Sequence, residues 1–196
     1  MGKLIALLGK SASGKDTLLS KLITNAGFKR VLPVTTRPIR PGEAEGVTYH
    51  FVSNEEFFRL RDTGRFIESR EYHTLYNGVS DIWYYATSKD SIDLSSGNYV
   101  AIVDTAALDA LRREYGKDLY SVYIDVPEPI RRERCMTRGD FSLSEWNRRE
   151  EDDAGKYTEE ILNEKIDLIL ENEDADLAFS SLKRFLISEG CLHNII

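Results

Sequence analysis

The sequence has few cysteines and lacks any long apolar run. Its only two cysteines, Cys135 and Cys191, lie far apart in a chain of 196 residues and match no metal-ligand spacing. This pattern indicates free thiols in a reducing cytosol rather than a disulfide framework or a zinc site. No apolar run approaches the roughly 20 residues of a membrane-spanning helix, and no signal-peptide pattern precedes the first apolar run. We therefore expect a cytoplasmic protein without a membrane partner.

The chain also lacks an excess of positive charge. Lysine and arginine number 26 against 33 aspartates and glutamates, for a formal net charge of −7. Binding of nucleic acid usually requires a concentrated positive surface, so this balance argues against a nucleic-acid partner. Where arginines cluster in the sequence, we therefore expect them to bind small anionic ligands. A hydrophobic content of 41% is enough for one substantial core and predicts a single domain over residues 1–196.

Short apolar runs alternate with helical patterns along most of the chain. Continuous apolar runs, typical of strands buried on both faces, occur at 4–8, 99–103, 119–124 and 166–170. Residues 15–26 place leucine and isoleucine at helical spacing, and Gly27 is positioned to end that helix. Alternation of this kind predicts an α/β fold with a parallel sheet and right-handed crossovers.

Residues 30–85 break this alternation. They contain several prolines and glycines together with alternating polar and apolar residues, which predicts a small β-rich lobe outside the main sheet. Two S-x-x-E patterns, Ser53 with Glu56 and Ser142 with Glu145, predict helix starts in which the serine hydroxyl caps the first turn.

The segment after the first apolar run has the pattern of a phosphate-binding loop. It consists of Gly9, Lys10, Ser11, Ala12, Ser13, Gly14, Lys15, Asp16 and Thr17. In such a loop the glycines let backbone amides converge on phosphate oxygens, the lysine reaches the terminal phosphates, and a hydroxyl helps to hold magnesium. Asp16 stands where the commonest pattern has serine or threonine, so Thr17 is the magnesium candidate and the role of Asp16 stays open. Ordinary strand-to-helix turns also contain glycines, but the lysine and the flanking elements favour phosphate binding.

A second anion-binding pattern follows the loop. Residues 35–43 and their continuation contain two arginines and a tyrosine that are suited to gripping an anion, Arg37, Arg40 and Tyr49. Arginine binds phosphate through two parallel hydrogen bonds, and a tyrosine hydroxyl donates to a remaining oxygen. Two phosphate sites in one chain indicate two phosphorylated ligands, which is the arrangement that a phosphoryl-transfer enzyme requires.

Residues 35–51 resemble the motif T-T-R-x-x-R-x-G-E-x-x-G-x-x-Y-x-F of the guanylate kinase family. The likeness continues through the chain, at 66–68, 84–88, 102–104 and 168–172 and in the spacing of Arg134, Arg138 and Arg149. The resemblance implies a P-loop NTPase-like parallel sheet core formed by about 1–32 and 90–196. It also implies a small β-rich lobe at about 33–89 that binds a nucleoside monophosphate, and a helical lid near 131–155.

The same resemblance assigns roles to individual residues. Those implied for ATP are Gly9, Ser11, Ala12, Ser13, Gly14, Lys15, Asp16, Thr17 and Asn172, with Mg²⁺ as cofactor on Thr17. Those implied for the acceptor phosphate are Arg37, Arg40, Tyr49 and Tyr85. Those implied for the guanine base are Glu68, Thr87 and Asp104, the last alternatively serving magnesium. The implied catalytic residues are Lys15, Arg134, Arg138 and Arg149.

The resemblance implies a monomer or homodimer that transfers a phosphoryl group from ATP to GMP or dGMP. Three departures from the family pattern bear on the acceptor. Pro33 replaces a serine that contributes to guanine recognition, Ile102 replaces an acidic residue, and segment 71–83 is longer than usual. They leave open a kinase of another phosphorylated acceptor, such as ribose 1,5-bisphosphate. A non-catalytic module that binds phosphopeptides is a further alternative, which the intact phosphate loop disfavours.

Overall fold

Nine strands and seven α-helices occur in the part of the chain that the computed structural model describes, residues 1–40, 42–76, 79–137 and 142–192. In chain order they are β1 (Leu4–Leu8), α1 (Lys15–Ala26), β2 (Lys29–Arg30), β3 (Val34–Thr35), β4 (His50–Phe51), α2 (Asn54–Asp62), β5 (Phe66–Tyr76), β6 (Val79–Ser88), β7 (Tyr99–Ile102), α3 (Thr105–Tyr115), β8 (Leu119–Asp125), α4 (Glu128–Thr137), α5 (Leu143–Lys156), α6 (Glu159–Lys165), β9 (Leu168–Glu171) and α7 (Ala175–Ser188). Within these ranges, no helix combines the length and the apolarity needed to cross a membrane.

Five of the strands form a parallel sheet in the order β2-β7-β1-β8-β9. The central strand is β1, and all five of its residues are fully buried. It pairs on both sides, with Leu4 opposite Tyr99 of β7 and opposite Leu119 of β8. A strand that is buried on both faces must be apolar throughout, which explains its uninterrupted apolar sequence. The other three predicted strands are confirmed as β7, β8 and β9.

Helices cover both faces of this sheet. On one face, Ile5 and Leu7 of β1 belong to the same buried cluster as Leu22 of α1 and Leu182 of α7. The alternate residues of β1 belong to a second cluster with α3, which contributes Leu108. Each fully buried leucine stabilises the fold by about 1.5 to 3 kcal/mol through removal of its apolar surface from water. The two clusters hold β1, and the loop that follows it, between the helical layers.

Between β2 and β7, the chain forms a second sheet of four strands, in the order β4-β3-β6-β5. Its longest pair, β5 and β6, is an antiparallel hairpin in which Glu68 lies opposite Thr87. Helix α2 packs on this sheet through Phe57, which is buried. Segment 71–83 belongs to this hairpin, apart from residues 77–78, which lie outside the described residues.

Helix ends follow the sequence signals in two of three cases. Gly27 has φ of 70° and ends α1, and the Ser53 hydroxyl accepts a hydrogen bond from the Glu56 amide at 3.2 Å at the start of α2. Ser142 precedes α5 as predicted, but its hydroxyl lies 2.9 Å from that of Ser144 and makes no capping bond. The predicted side-chain cap is therefore wrong at this helix, because a neighbouring hydroxyl engages the serine instead.

The carboxyl ends of three neighbouring strands open onto one cleft. Gly9 follows β1, Val31 follows β2 and Asp104 follows β7, and all three residues line that cleft. Parallel α/β sheets commonly bind ligands at this edge, because the connecting loops diverge there. The fold therefore brings the phosphate loop and the second sheet to the same cavity.

Two leucines of α7 test the packing of that helix. Leu182 is fully buried, whereas Leu177 is 71% exposed. Leu182→Ala should lower the free energy of unfolding by about 2 to 5 kcal/mol, because it leaves a cavity in the core. The matched variant Leu177→Ala should change it by less than about 0.5 kcal/mol. Urea denaturation followed by circular dichroism measures both values, and equal losses would contradict the packing of α7 against the sheet.

Candidate active site

The phosphate loop between β1 and α1 has a backbone that favours glycine. Gly9 and Gly14 have φ of 150° and 94°, and Ala12 between them has φ of 61°, a left-handed conformation that residues with a side chain seldom adopt. A Cβ atom on Gly9 would lie 2.7 Å from the carbonyl oxygen of Ile124. The tight curl of the loop at the end of β1 thus depends on these two glycines.

Lys15 begins α1, and its ammonium group folds back over the loop. Its Nζ donates to the carbonyl oxygens of Gly9 at 2.6 Å and of Lys10 at 2.9 Å. Lys15 also lines the large cleft. A phosphate that enters beside the loop therefore meets a positive charge that is already in position.

Asn172 ties the loop to the end of β9. Its side chain is buried, and its Nδ2 donates to the Ser13 carbonyl at 2.7 Å. A Cβ atom on Gly14 would lie only 2.4 Å from the same Nδ2 atom. The amide of Asn172 therefore packs directly against the last turn of the loop, and it supports the loop from a distant part of the chain.

Helices α4 and α5 support the other flank of the loop. Arg131, from α4, is buried and forms two hydrogen bonds with Glu150 of α5, at 2.5 and 2.8 Å. It also donates to the Ser11 carbonyl at 3.3 Å, while the Ser11 amide donates to Asp153 at 2.7 Å. No sequence pattern singled out Arg131, Glu150 or Asp153 within the implied lid near 131–155. The distance along the chain between these partners explains why no local pattern revealed them.

The large cleft has a volume of about 430 Å³. One part of its wall belongs to the phosphate loop and the start of α1, with Gly9, Ser11, Lys15 and Asp16. Another part of the wall belongs to the second sheet and the loops that precede or connect its strands, with Pro33, Arg40, Tyr49, Arg70, Tyr72, Trp83 and Tyr85. The remainder includes the core positions Ile102 and Asp104 and the end of α5, with Asp153, Lys156 and Tyr157. Members of both groups of residues that the sequence predicts to bind anions therefore line a single cavity.

The two arginines of the second anion-binding pattern have different environments. The Arg37 side chain is only 3% exposed and forms two hydrogen bonds with Glu43, at 2.7 and 2.9 Å. Burial acts to raise the pKa of Glu43, but hydrogen bonds from Arg37 and from the Arg40 amide lower that pKa overall. Arg40 lines the cleft, whereas Arg37 is not among the described residues that line it. The structure thus brings Arg40, but not Arg37, to the cavity wall.

Both tyrosines that the resemblance implies for the acceptor phosphate line the cleft. The rings of Tyr49 and Tyr85 pack edge to face, with centroids 6.1 Å apart. Burial raises the pKa of Tyr85 above its ordinary value, so its hydroxyl stays protonated at neutral pH and is able to donate. Together with Arg40, these hydroxyls form a set of donors suited to a phosphate.

The residues that the resemblance implies for the base form one network with Arg70. The Thr87 hydroxyl donates to Glu68 at 2.8 Å, and Arg70 donates to the other oxygen of Glu68 at 3.2 Å. Arg70 also pairs with Asp104 at 3.1 Å, and Asp104 caps α3 by accepting from the Ala107 amide. Arg70 and Asp104 line the cleft; among the described lining residues, Glu68 and Thr87 are absent. The sequence did not mark Arg70.

The arginines of the implied lid do not line the large cleft in the described part of the chain. Arg134 donates to the carbonyl of Asn172 at 2.8 Å, beside a second cavity of about 270 Å³ that also contains Gly14 and Thr17. Arg149 pairs with Glu145 at 2.8 Å on α5. The implied catalytic residue Arg138 lies outside the described residues.

Glu145 is the acidic partner of two neighbouring arginines on α5. Arg148 donates to it at 2.8 Å and also contacts the Tyr72 hydroxyl of the β5–β6 hairpin. The guanidinium of Arg148 lies 5.2 Å from the Tyr72 ring centroid. Hydrogen bonds from Arg148 and then Arg149, against the effect of burial, lower the pKa of Glu145 to about 2. The carboxylate is therefore ionised at neutral pH and links α5 to the long hairpin through Arg148.

Asp16 and Thr17 face different cavities, which bears on the implied magnesium. Asp16 lines the large cleft beside Lys15, whereas Thr17 lines the smaller cavity with Asn172 and Arg134. Among the described residues, no group of three histidine, cysteine or acidic side chains is arranged to hold a metal ion. Magnesium bound with a nucleotide needs only one or two protein oxygens besides phosphates and water. The carboxylate of Asp16 fits that requirement better than the Thr17 hydroxyl.

Comparison with known proteins identifies the family. A family model described as guanylate kinase matches residues 1–189. The chain belongs to the guanylate kinase family. The guanylate kinase of Desulfotalea psychrophila is 30% identical over 190 residues, covering 96% of this chain and 90% of that protein. That of Symbiobacterium thermophilum is 31% identical over 190 residues, covering 96% and 86%.

Solved structures share the fold of this guanylate kinase family member. The crystal structure of guanylate kinase from Anaplasma phagocytophilum matches it with a TM-score of 0.67 at 22% identity, covering 96% of this chain and 86% of that one. This likeness confirms the predicted α/β fold, with its parallel core sheet and additional β-rich sheet.

Two glycines with left-handed backbones test the contact between the loop and Asn172. A Cβ on Gly14 would meet Asn172 Nδ2, whereas a Cβ on Gly27 would have nothing within 4 Å. Gly27→Ala should cost about 1 to 2 kcal/mol of unfolding free energy from backbone strain alone. Gly14→Ala should cost a further 1 to 3 kcal/mol, roughly, because the buried amide must move.

The double variant Gly14→Ala/Asn172→Ala separates the clash from the strain. Urea denaturation should show that Gly14→Ala costs less in the Asn172→Ala background than in the wild type, because the clashing atom is gone. Additive losses would contradict a direct contact between the two residues.

Proposed function

We propose that this chain transfers the γ-phosphoryl group of ATP to GMP or dGMP, giving ADP and GDP or dGDP. One observation carries the proposal: the phosphate loop with Lys15 lines the same cleft of about 430 Å³ as Arg40, Tyr49 and Tyr85. Transfer between two bound nucleotides requires their phosphates to meet in one cavity. Membership of the guanylate kinase family supports the choice of a guanine nucleotide as acceptor.

On the donor side, we assign ATP to the phosphate loop. The support from Asn172 and Arg131 preorganises its backbone, so the loop need not reorder as phosphate binds. Lys15 would release the carbonyls of Gly9 and Lys10 in favour of the transferring phosphate. Magnesium, when bound, neutralises charge on the ATP phosphates. We assign Asp16 to hold it, in place of Thr17, because Asp16 lines the cleft.

On the acceptor side, we assign the monophosphate to Arg40, Tyr49 and Tyr85. Arg37 acts as a positioning residue in this proposal, because its guanidinium is paired with Glu43 and is buried. The same carboxylate accepts from the Arg40 amide at 2.9 Å, so the Arg37–Glu43 pair orients the backbone at Arg40. Asp104, which lines the cleft, and Glu68, which contacts the same Arg70 without lining the cleft, are assigned to the guanine base.

The chemistry itself requires positioning and charge neutralisation more than a covalent partner. We assign residues 33–89 to the lobe that holds the acceptor and residues near 131–155 to a lid. Closure of that lid would bring Arg134, Arg138 and Arg149 toward the phosphates and exclude water, which limits hydrolysis of ATP. The contact of Arg148 with Tyr72 supports this assignment, since it already joins the lid helix to the acceptor lobe.

A panel of acceptors tests the reaction. With ATP and Mg²⁺, a coupled assay for ADP should show faster turnover with GMP and dGMP than with AMP, CMP and ribose 1,5-bisphosphate. Preference for a non-guanine acceptor would reject guanylate kinase activity.

The Lys15→Ala variant tests the phosphate loop in the same assay. It should lower kcat by about 10²-fold or more, because charge at the transferring phosphate is no longer neutralised. Near-normal turnover by folded Lys15→Ala would reject the role of the loop.

The two arginines of the acceptor motif should behave differently. Arg40→Lys keeps the charge but loses the planar fork, so it should raise KM for GMP about 10-fold or more with little change in stability. Arg37→Met leaves Glu43 without its partner and should lower the unfolding free energy by about 3 to 5 kcal/mol. Steady-state kinetics and urea denaturation distinguish the two effects, with ATP affinity as a control. A stable Arg37→Met variant would contradict its structural role.

A further inference from the structure

Arg70 is the one cleft-lining arginine that faces both carboxylates assigned to the base in the described part of the chain. It lies on β5, two residues after Glu68, and its side chain is 32% exposed. Its Nη1 donates to Glu68 at 3.2 Å and its Nε pairs with Asp104 at 3.1 Å. Its guanidinium also lies 5.9 Å from the Tyr85 ring centroid. The guanidinium is therefore fixed at the wall where the acceptor base is expected.

The network around Arg70 engages all four oxygens of the two carboxylates. Glu68 accepts from Thr87 and from Arg70, while Asp104 accepts from the Ala107 amide and forms an ion pair with Arg70. Arginine has five N–H donors in a rigid plane. Among the contacts of the described residues, the carboxylates engage Nε and Nη1 and none engages Nη2. The outer edge of the guanidinium thus retains donors for a ligand in the cleft.

We propose that Arg70 determines acceptor specificity by donating to the O6 and N7 edge of the guanine base. This inference rests on the proposed function, because it concerns the base of the acceptor in that same cleft. Arginine recognises O6 and N7 of guanine through two parallel hydrogen bonds more often than any other specific base contact. Pro33, which lines the same cleft, has no side-chain donor for such a contact.

The network places a donor beside acceptors, and guanine carries the complementary groups side by side. On the base, the O6 acceptor is adjacent to the N1–H donor, and the exocyclic amine follows. In the site, the donor Arg70 is adjacent to the acceptor carboxylates of Glu68 and Asp104. Adenine presents an amine in place of O6, and that amine would meet the guanidinium donor to donor. A site built in this way rejects adenine by leaving buried polar groups unpaired.

The experiment compares GMP with 6-thio-GMP, in which sulfur, a weaker acceptor, replaces only O6. Wild-type protein should use GMP with a higher kcat/KM. Arg70→Met should lower kcat/KM for GMP about 10- to 100-fold and should lower it much less for 6-thio-GMP, so that the ratio between the two acceptors approaches one. Titration calorimetry of GMP, without ATP, should show the same loss in affinity.

Two further variants separate recognition from structural effects. Arg70→Lys keeps a positive charge beside Glu68 and Asp104 but lacks the fork, so it should remain folded and still lose the preference for GMP over 6-thio-GMP. Arg59→Met is the matched control, because Arg59 is exposed on α2 and pairs with Glu56, and its acceptor ratio should not change. Affinity for ATP should be unaltered in all three variants.

The outcomes are distinguishable. An unchanged GMP to 6-thio-GMP ratio in Arg70→Met or Arg70→Lys, with wild type preferring GMP to AMP, would overturn the assignment of Arg70 and leave the guanylate kinase function standing. An equal loss of kcat/KM for GMP and 6-thio-GMP in Arg70→Met would also overturn the base contact, because it would show that Arg70 only positions Glu68 and Asp104. A wild type that prefers ribose 1,5-bisphosphate or AMP would overturn the proposed function and the contact together.

Discussion

The hydrogen bond from Asn172 to the Ser13 carbonyl holds the phosphate loop against β9, and the geometry of the cleft depends on that attachment. The opposite flank of the loop is held by Arg131 and Asp153, which bond the backbone of Ser11. These partners come from α4, α5 and the end of β9, all far along the chain from the loop. A loop held from both sides keeps its amides in place before a phosphate binds, so less free energy is lost in ordering it.

Charge pairing explains how an acidic chain forms sites for anions. The net charge is −7, yet several arginines around the cleft and on α5 lie beside carboxylates: Arg37 with Glu43, Arg70 with Glu68 and Asp104, and Arg148 and Arg149 with Glu145. An exposed pair contributes about 0 to 1 kcal/mol, so its arginine is able to change partner at little cost. A buried pair is much costlier to break. Burial therefore separates arginines that shape the lobe from those that remain available to a ligand.

Local patterns in the sequence predicted the regular elements well. The apolar run of β1, the helical spacing of α1 and the glycine that ends it are confirmed, since each depends on residues close together in the chain. The S-x-x-E pattern was less reliable. Ser53 caps α2, whereas Ser142 is engaged by Ser144 and makes no cap. Hydrogen bonds of similar strength compete at such positions, and the pattern alone does not decide between them.

The sequence by itself determined the α/β alternation, the phosphate loop and membership of the guanylate kinase family, because periodicity and glycine–lysine spacing are local properties. Only the tertiary structure decided which charged groups reach the cleft. Arg37 and Arg40 have the same chemistry and lie three positions apart, yet one is buried against Glu43 and the other lines the cavity. No sequence pattern pointed to Arg70, since its ion pair is with Asp104, which follows a different strand. Burial and long-range pairing arise only when distant segments pack together, and no local pattern encodes them.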